Sequence, residues 1–316
     1  MRQVYDFSNA KVRCHAAYYV AAKGKNPTPK EKYEQLQLLL AEETQKYDDM
    51  GERKQGMHLG LKKASKIAGL EYDLKLLEPK KYDDPLPAGA KSYLKRLYGY
   101  LKYGKWSATL EKGNKYTDKG KMAEPAAIEL VNSLDNRGCI KNTECFFNDL
   151  IEGTPDIVTE HNGLPYIIDV KSSWDWETFA ENIGKPLNPL YWWQLQAYLD
   201  VTDSEQGEVS YCLVDTPEIV INEELYKLSK MMGALTTESP EYKIAEATMI
   251  NNMTFSDMPE IERRLLFPVK RDEAAIQRLH YIIPKCRDYL FELQEMHLTG
   301  YFTDKELPIL SEIEEI

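Results

Sequence analysis

The sequence lacks several patterns that would each define a class of protein. It contains no Cys-x-x-Cys pair, and its five cysteines are scattered, which favours reduced thiols over a disulfide framework. Its five histidines show no metal-ligand spacing. No Gly-x-x-x-x-Gly-Lys-Ser/Thr loop is present, which argues against a nucleotide-driven motor of that type. A disulfide-rich scaffold and such a motor are therefore not expected.

Long apolar stretches are also missing. No run of about 18 apolar residues occurs, so we expect no transmembrane helix. The start, MRQVYDFSNAKVRC, lacks the apolar core of a secretory signal, and we expect a cytoplasmic protein. Length and composition, with 316 residues and 43% hydrophobic residues, predict two domains or one domain with large insertions.

Positive charge is scarce overall but locally concentrated. The net charge of −11 argues against a protein that simply coats nucleic acid. Residues 51–121, however, contain seventeen Lys and Arg against eight Asp and Glu, a balance of +9 that leaves −20 on the remainder. This basic stretch is rich in tyrosine, and Gly and Pro divide it into short elements. We interpret it as part of an inserted lobe rather than a disordered tail.

The amino-terminal region and the segment from residue 117 have different patterns. Residues 5–22 favour a first helix with Ser8 as its cap. From residue 117 the pattern is that of an α/β domain, which opens with the helical stretch TDKGKMAEPAAIELVNSL. Pro125 falls inside this stretch, so it lies either near the first turn or at a kink.

Strand signals follow this helix. The stretches ECFFNDL, DIVTE and YIIDVKSS are rich in β-formers and predict three strands. Asn162-Gly163, between the last two, is a strong signal for a two-residue hairpin turn. NPLYWWQLQAYLDV then predicts a helix and GEVSYCLVDTP a further strand. Residues 222–299 are predicted to be mostly helical, with an interruption at Pro284.

Two carboxylates and an ammonium group stand where a buried strand normally carries apolar residues. Asp169 and Lys171 are two residues apart, so a strand places both on one face and Ile168 and Val170 on the other. Asp156 begins the preceding strand, and the hairpin can bring it close to the end of the next. Two such carboxylates repel each other unless a cation lies between them. Because hard divalent cations prefer oxygen ligands, the pattern predicts a Mg²⁺ or Mn²⁺ site.

These residues resemble the signature of the PD-(D/E)XK nuclease superfamily, here Pro155-Asp156 with Asp169-Val170-Lys171. The sequence is most similar to the phage lambda exonuclease (YqaJ-like) group and its RecB/Cas4-type relatives. GKMAEPAAIEL matches the upstream helical motif of that group, GTPD its Pro-Asp turn and YWWQLQAY its glutamine-bearing helix. The match covers about residues 117–217, with a weaker echo at FSNAKVRCHAAY.

The resemblance implies a restriction-endonuclease-like α/β fold, with a central mixed β-sheet flanked by helices, a basic helical insertion and a helical carboxyl terminus. Residues 1–22 and 117–316 would form the nuclease domain, and residues 23–116 the basic, tyrosine-rich insertion. Some of these nucleases hold an iron–sulfur cluster with a closely spaced cysteine triplet. That triplet is missing here, so no such cluster is expected.

Roles for individual residues follow from the resemblance. Asp156 and Asp169, with the Val170 carbonyl and Glu124, would hold the metal ion. The same three carboxylates and Lys171 would form the catalytic set. Contacts to phosphate or DNA would come from Thr154, Gln194, Tyr191 and Gln196, and the resemblance favours the first glutamine as the one that faces the site. Independently, the basic segment offers Lys95 and Arg96 to phosphates, and its tyrosines to unpaired bases.

Simpler interpretations stay open for the same residues. Asp156 could be an ordinary turn residue, and Asp169 with Lys171 an exposed ion pair. Glu124 could be a solvent-facing helix residue, although Ile128 lies one turn later on the same side, so that the glutamate borders an apolar face. The basic segment could be a solvated lobe with a small core of its own.

The predicted function is a Mg²⁺- or Mn²⁺-dependent DNA exonuclease that leaves 5′-phosphates and acts in phage or bacterial recombination or in DNA end processing. Two alternatives stay open: an endonuclease or flap nuclease of RecB/Cas4 type, and a catalytically silent recombination scaffold that binds DNA ends. The resemblance also implies linear duplex ends as substrate, a single-strand annealing protein as partner and a ring-shaped homo-oligomer. It implies a protein that does not associate with a membrane and that acts in the cytoplasm of a bacterial cell or a phage-infected host.

Overall fold

The structure is a computed structural model that describes residues 4–22, 27–81, 84–105, 115–233 and 237–300, without the side chains of 115–119. The chain divides into two compact units, residues 1–21 with 91–316 and residues 22–90. The described part of the basic segment beyond residue 90 thus groups with the larger unit. That residues 23–116 form an inserted domain of their own remains a prediction. Within the described residues, no helix combines the length and apolarity needed to span a bilayer.

The helices, in chain order, are α1 (Ala17–Ala21), α2 (Pro29–Asp48), α3 (Glu52–Gln55), α4 (His58–Leu77), α5 (Ala88–Tyr103), α6 (Lys115–Asp135), α7 (Trp176–Ala180), α8 (Pro189–Val201), α9 (Glu218–Met231), α10 (Pro240–Asn251) and α11 (Glu273–Thr299). The strands are β1 (Val12–Arg13), β2 (Phe146–Phe147), β3 (Ile151–Gly153), β4 (Ile157–His161), β5 (Leu164–Ser172), β6 (Gln206–Cys212) and β7 (Arg264–Lys270). The predicted helix around YWWQLQAY and the strand after it are both confirmed.

A four-stranded mixed sheet in the order β4–β5–β6–β7 forms the centre of the larger unit. β5 and β6 are parallel, and both outer pairs are antiparallel. One face packs on α6 through a buried cluster that includes Ala127, Val131, Ile168 and Val170. The other face meets α8, which contacts β5 and β6. The predicted mixed α/β architecture is confirmed, and buried apolar surface on the α6 side stabilises it.

A buried network of ion pairs lies on the α6 side of this sheet. Glu208 is 1% exposed and accepts from the Tyr166 hydroxyl at 2.9 Å and the Ser210 hydroxyl at 2.8 Å. Arg264 pairs with Glu208 and binds both carboxylate oxygens of Asp135, at 2.6 and 3.0 Å. The network therefore joins the β6–β7 pair to the end of α6. Breaking it would be costly, because removing one partner would leave a buried charge unpaired.

A second, three-stranded sheet in the order β1–β3–β2 lies beside the Pro-Asp turn in the chain. β1 and β3 are parallel, with Val12 opposite Ile151, and β2 and β3 are antiparallel. β3 ends at Gly153, three residues before Asp156, so this sheet fixes where the turn begins. The amino terminus of the chain therefore helps to position the predicted site.

The hairpin between β4 and β5 confirms the prediction made from Asn162-Gly163. Both residues have positive φ, 55° and 77°. Such values at both central positions are those of a type I′ turn, whose twist matches that of the flanking strands. The resulting register pairs Ile157 with Ile168 and therefore carries Asp156 towards the end of β5.

The expectation of a first helix over residues 5–22 is wrong for most of that range. Val12–Arg13 form β1, a 3₁₀ turn follows at Cys14–Ala16, and only α1 is α-helical. Ser8 does not cap a helix: its backbone N–H and its hydroxyl both donate to the Asp6 carboxylate, at 2.9 and 2.6 Å. Pairing with β3 satisfies the backbone of β1 better than an isolated short helix would.

Both prolines of interest lie inside helices. α6 begins ten residues before Pro125, which excludes a position in the first turn. α11 runs through Pro284 without a break, so the predicted interruption is wrong. Ile282, Ile283 and Cys286 around this proline are buried, and their packing stabilises the helix across the missing N–H.

Residues 222–299 are mostly helical, as expected, through α9, α10 and α11, and β7 is the exception in this range. Pro268 in this stretch argues against a central strand, but β7 is the outer strand of the sheet. At a sheet edge, the missing proline N–H need not cost a ladder hydrogen bond. Pairing with β6, which places Phe267 opposite Val209, therefore prevails over the local signal.

The regular elements among the described residues of the smaller unit, residues 22–90, are helices. α2 begins with a capping box, in which Thr28 accepts from the N–H of Glu31 and the Glu31 carboxylate accepts from the N–H of Thr28. Glu43 of α2 is 8% exposed, and its carboxylate lies 3.2 Å from Lys66 of α4. Charge pairing thus contributes to the packing of these two helices.

The close approach of β5 and β6 can be tested at Gly207. A Cβ at this position would lie 2.4 Å from the backbone oxygen of Ile167, so Gly207→Ala must push the two strands apart. We expect a loss of about 1–3 kcal/mol in the free energy of unfolding, measured by urea denaturation. Gly120→Ala is the control, because nothing lies within 4 Å of its Cβ position. Equal stability of both variants would contradict the register.

Candidate active site

Asp169 and Lys171 lie on the face of β5 that α8 covers, as the alternation predicted. Asp169 is fully buried, and its Oδ2 lies 2.6 Å from the Nζ of Lys171, whose side chain is 21% exposed. The lysine side chain is therefore partly exposed, while the carboxylate is not. This is a buried charge pair at the end of a strand, not the exposed ion pair of the simpler interpretation.

Asp156 joins this pair because β4 begins one residue later. On the side of β5 that β4 covers, pairing stops at Ile157, and beyond it the Asp156 Oδ2 accepts from the N–H of Val170 at 2.8 Å instead. In a strand, the N–H and C=O of one residue point to the same side, so the Val170 carbonyl faces the gap that Asp156 borders. Asp156, Asp169, Lys171 and the Val170 backbone thus converge at one sheet edge.

The Pro-Asp turn is held by a residue that the sequence did not single out. Asn142 donates its backbone N–H to the Asp156 carbonyl at 2.8 Å and its side-chain amide to the Pro155 carbonyl at 3.0 Å. Because Asn142 lies upstream of β2 in an irregular segment, no periodic pattern marks it. Its two bonds fix the backbone at two successive carbonyls, those of the proline and of the aspartate that follows it.

Electrostatics in the site follow from this convergence. Burial and the charge of Asp169 raise the pKa of Asp156 from 3.8 to about 6, although the Val170 N–H and Lys171 act in the opposite direction. For Lys171, burial alone would lower the pKa, but the carboxylates of Asp169 and Asp156 outweigh it and raise the pKa. The site is therefore a pair of carboxylates in mutual repulsion beside a stable ammonium group.

The two glutamines of α8 have different environments. Gln194 is buried, and its Nε2 lies 3.4 Å from the Asp169 Oδ1 and 3.1 Å from the Tyr198 hydroxyl oxygen. Gln196 instead donates to the Lys270 carbonyl at 2.7 Å and accepts from the Asp272 N–H at 2.8 Å. The first glutamine faces the site, and the second ties α8 to the link between β7 and α11.

Tyr191 lies beside the predicted lysine. The Lys171 Nζ is 5.2 Å from the centre of the Tyr191 ring, which in turn meets Tyr211 edge-on at 5.7 Å. A cation at this distance from an aromatic face is attracted to it. Tyr191 thus contacts the ammonium group directly, in addition to its predicted role towards DNA.

Glu124 lies on α6 and has one engaged and one unsatisfied oxygen. Its Oε2 is 2.5 Å from Lys141 Nζ, while its Oε1 is buried without a hydrogen-bond partner. The Asp169 Oδ2 likewise accepts no hydrogen bond of good geometry, despite its nearness to Lys171. Buried oxygens of this kind are costly, and a hard cation is a fitting partner for them.

The carboxylates do not form a complete ligand set on their own. Across the described ranges, no three His, Cys, Asp or Glu side chains stand close enough to bind a metal ion together. Glu124 therefore does not join the two aspartates in such a group, and its role stays a prediction. Two aspartates with a backbone carbonyl and water would still supply the oxygen ligands that Mg²⁺ and Mn²⁺ take.

Thr154 and the amino-terminal residues line a cavity of about 360 Å³ next to the site. The Thr154 side chain is exposed, and Arg13, His15 and Tyr198 lie on other walls. Packing around the ring, followed by the charges of Arg13, Arg96 and Lys171, lowers the pKa of His15. Positive charge therefore gathers on this side of Lys171. The weak echo at FSNAKVRCHAAY was the only sequence signal for it.

Lys95 and Arg96 lie on α5, in the part of this helix that belongs to the larger unit. Lys95 is exposed, whereas the Arg96 Nε is buried without a hydrogen-bond partner. Tyr93 and Tyr98 on the same helix are 2% and 8% exposed, and the Tyr93 hydroxyl accepts from the Arg13 N–H at 3.2 Å. These two tyrosines are core residues, so stacking on bases is closed to them.

This arrangement of strands and helices occurs in a known crystal structure. A phage-related exonuclease from Haemophilus somnus 129PT superposes with a TM-score of 0.54 at 20% identity, covering 92% of this chain and 97% of that one. The chain has the fold of a phage-related exonuclease. The resemblance suggested by the motifs is thus confirmed at the level of the fold.

A weaker likeness extends to an alkaline exonuclease from Laribacter hongkongensis, with a TM-score of 0.45 at 13% identity, over 68% of this chain and 88% of that one. No family model matches the sequence, and no curated protein matches it. A fold hosts many activities, so function has to be argued from the site.

Repulsion between the two aspartates predicts how stability of the metal-free protein depends on pH. A carboxyl whose pKa rises from 3.8 to about 6 on folding stabilises the fold when protonated, and this contribution is lost as pH rises through that range. At pH 8 we expect Asp156→Asn to be more stable than the wild type by about 1–3 kcal/mol, with no gain at pH 4. Urea denaturation at both values, in chelator, measures this.

The exposed Asp149 supplies the control, because Asp149→Asn removes a carboxylate outside the site. Mg²⁺ should stabilise the wild type and the control but not Asp156→Asn. A metal-free Asp156→Asn that is less stable than the wild type at pH 8 would contradict the repulsion.

Proposed function

We propose that the protein is a divalent-metal-dependent DNA exonuclease that hydrolyses phosphodiester bonds and leaves 5′-phosphates, in phage or bacterial recombination or DNA end processing. One observation carries this proposal: Asp156 and Asp169 converge within reach of the Lys171 ammonium at one end of β5. Without a cation the arrangement is electrostatically unfavourable, since burial and repulsion raise the Asp156 pKa to about 6. Structures retain such strain at functional sites.

Mg²⁺ or Mn²⁺ fits the donor set of this site. Asp156, Asp169 and the Val170 carbonyl would hold the ion. The Glu124 Oε1 is unsatisfied, but this carboxylate does not group with the two aspartates and would have to move to become a further ligand. When bound, the ion lowers the pKa of a coordinated water molecule and neutralises charge on the scissile phosphate.

The chain's own residues supply the rest of the chemistry. Lys171, kept protonated by the two aspartates, donates hydrogen bonds that orient the attacking water and stabilise negative charge developing on the phosphate. Water attacks in line, the bond between phosphorus and the 3′ oxygen breaks, and the released product keeps its 5′-phosphate. The Tyr191 ring limits where the ammonium group can move.

Thr154 and Gln194 would bind the phosphate next to the cut. The Thr154 side chain is exposed on the cavity wall. Gln194 already directs its amide hydrogens to Asp169 and Tyr198, so a phosphate contact requires it to exchange one of these bonds. Gln196 has both amide groups bound to backbone and is therefore left out of the proposed phosphate contacts.

DNA would approach along the basic side of the site. Arg13, Arg96 and Lys171 all act on His15, and Lys95 is exposed on the same helix as Arg96. Phosphates would pair with these side chains, which explains how a chain of net charge −11 can bind a polyanion. Tyr93 and Tyr98 are buried, so the proposal does not include the stacking of these two tyrosines on bases that the sequence suggested.

Two other functions use the same fold. An endonuclease or flap nuclease would share Asp156, Asp169 and Lys171, and a covalently closed duplex distinguishes it, because an exonuclease needs an end. A silent DNA-end scaffold has no need of a strained carboxylate pair, and this observation favours the enzyme. An annealing-protein partner and a ring-shaped oligomer belong to the proposal by resemblance alone.

Lys171→Ala tests the catalytic assignment. Loss of the ammonium group should lower the rate of Mg²⁺-dependent digestion of an end-labelled linear duplex by about 10³-fold or more. Binding of the duplex, measured by fluorescence anisotropy in Ca²⁺, should persist, because other basic side chains contact the phosphates. Lys230→Ala on α9, an exposed lysine, serves as the control. Wild-type digestion by Lys171→Ala would refute the assignment.

Charge reversal at Lys95 and Arg96 tests the DNA path. The double variant should bind duplex more weakly, and the slope of log affinity against log salt should fall by about 2, one for each lost phosphate contact. Lys95→Glu alone, at an exposed position, should lower the slope by about 1 without disturbing the fold. Lys230→Glu is the charge-matched control, and an unchanged slope in the double variant would favour a solvated lobe.

A further inference from the structure

We propose that Tyr198 is a positioning residue that sets the separation of Asp156 and Asp169 for metal binding, a role that rests on the proposed function. Its hydroxyl stands between the two halves of the site. It accepts from the Gln194 Nε2 at 3.1 Å, and it donates to the carbonyl of Thr154 at 3.2 Å. Gln194 reaches Asp169, and Thr154 begins the turn that carries Asp156.

The donor and the acceptor of each hydrogen bond in this series follow from which groups can donate and which can only accept. A carboxylate only accepts, so the Gln194 group that faces the Asp169 Oδ1 must be its NH₂. The same NH₂ lies next to the Tyr198 oxygen, which leaves the hydroxyl hydrogen for the Thr154 carbonyl. Burial and the charge of Asp169 raise the pKa of Tyr198, so the hydroxyl stays protonated and keeps donating.

Packing fixes the Tyr198 ring in this place. The residue is 6% exposed, and a Cβ at Gly153 would lie 2.8 Å from its Cε1 and 2.6 Å from the Cys14 Sγ. Only a glycine therefore allows β3 to pass between these two side chains. The ring cannot follow a shift of Asp169 or of the turn, so the hydroxyl is a fixed reference for both.

Without the hydroxyl, the two aspartates would lose their common anchor. The Gln194 amide would lose one acceptor. The Thr154 carbonyl, in the turn before Asp156, would lose its hydrogen-bond donor. Residues behind metal ligands commonly change metal affinity or activity by about 10–100-fold when removed. The Tyr198 hydroxyl is expected to act in this way, on metal affinity and turnover rather than on DNA binding.

Tyr198→Phe is the test, with Tyr166→Phe as the matched control. Tyr166 lies on β5, the strand that carries Asp169, but on the opposite face of the sheet, where its hydroxyl donates to the buried Glu208 at 2.9 Å. It is also 6% exposed, so both variants remove one buried, hydrogen-bonded hydroxyl. Loss of stability alone should therefore affect both alike.

Two quantities distinguish positioning from a structural role. Calorimetric titration with Mn²⁺ should give a Kd about 10-fold or more higher for Tyr198→Phe than for Tyr166→Phe. Digestion of linear duplex should show a kcat lowered by a similar factor, with the KM for DNA unchanged. Values for the two variants that agree within about twofold in both experiments would overturn the proposal.

Failure of the proposed function is distinguishable from failure of this inference. If the wild type binds Mn²⁺, loses affinity on Tyr198→Phe and yet digests no DNA, the positioning role stands and the nuclease assignment falls. If the wild type digests DNA but Tyr198→Phe leaves the Mn²⁺ affinity and kcat unchanged, the nuclease assignment stands and the positioning role falls. A wild type that binds no Mn²⁺ would overturn both.

A double-mutant cycle with Gln194→Ala tests the route of action. If Tyr198 acts on Asp169 through Gln194, its removal should matter less for Mn²⁺ affinity when the glutamine side chain is already absent. Additive losses in the double variant would show that Tyr198 acts only through the Thr154 turn, and would overturn the link to Asp169.

Discussion

Repulsion between Asp156 and Asp169 is the constraint on which the rest of the site depends. The hairpin register brings the two carboxylates together, and the Val170 N–H, Lys171 and Gln194 hold them there. These contacts reduce the repulsion only in part, since the Asp156 pKa is still raised to about 6. A divalent cation would relieve the remainder, which links the fold of the metal-free chain to its proposed activity.

The elements around the site each limit its freedom in a different way. Neighbouring β6 pairs with β5 along seven residues and meets it closely at Gly207, while α6 buries the opposite face. On the site face, α8 directs Gln194 and Tyr198 inwards and turns Gln196 to the backbone of Lys270 and Asp272. Rigid elements thus position the charged groups, as catalysis by preorganised electrostatics requires.

The sequence was sufficient wherever a local rule decided the structure. Positive φ at Asn162-Gly163 and the alternation in β5 follow from turn chemistry and side-chain geometry. Long-range pairing decided the rest: β1 replaced part of the expected first helix, and β7 formed despite Pro268 because an edge strand tolerates it. Asn142 and Tyr198 could not be ranked from sequence, because their partners lie far away in the chain or on another element.

Crystals of the protein soaked in Mn²⁺ would test the central claim most directly, through anomalous scattering of the ion. We expect one strong peak at about 2.2 Å from carboxylate oxygens of Asp156 and Asp169, within reach of the Val170 carbonyl. An empty map at that position, with the two carboxylates still in mutual contact beside Lys171, would contradict it.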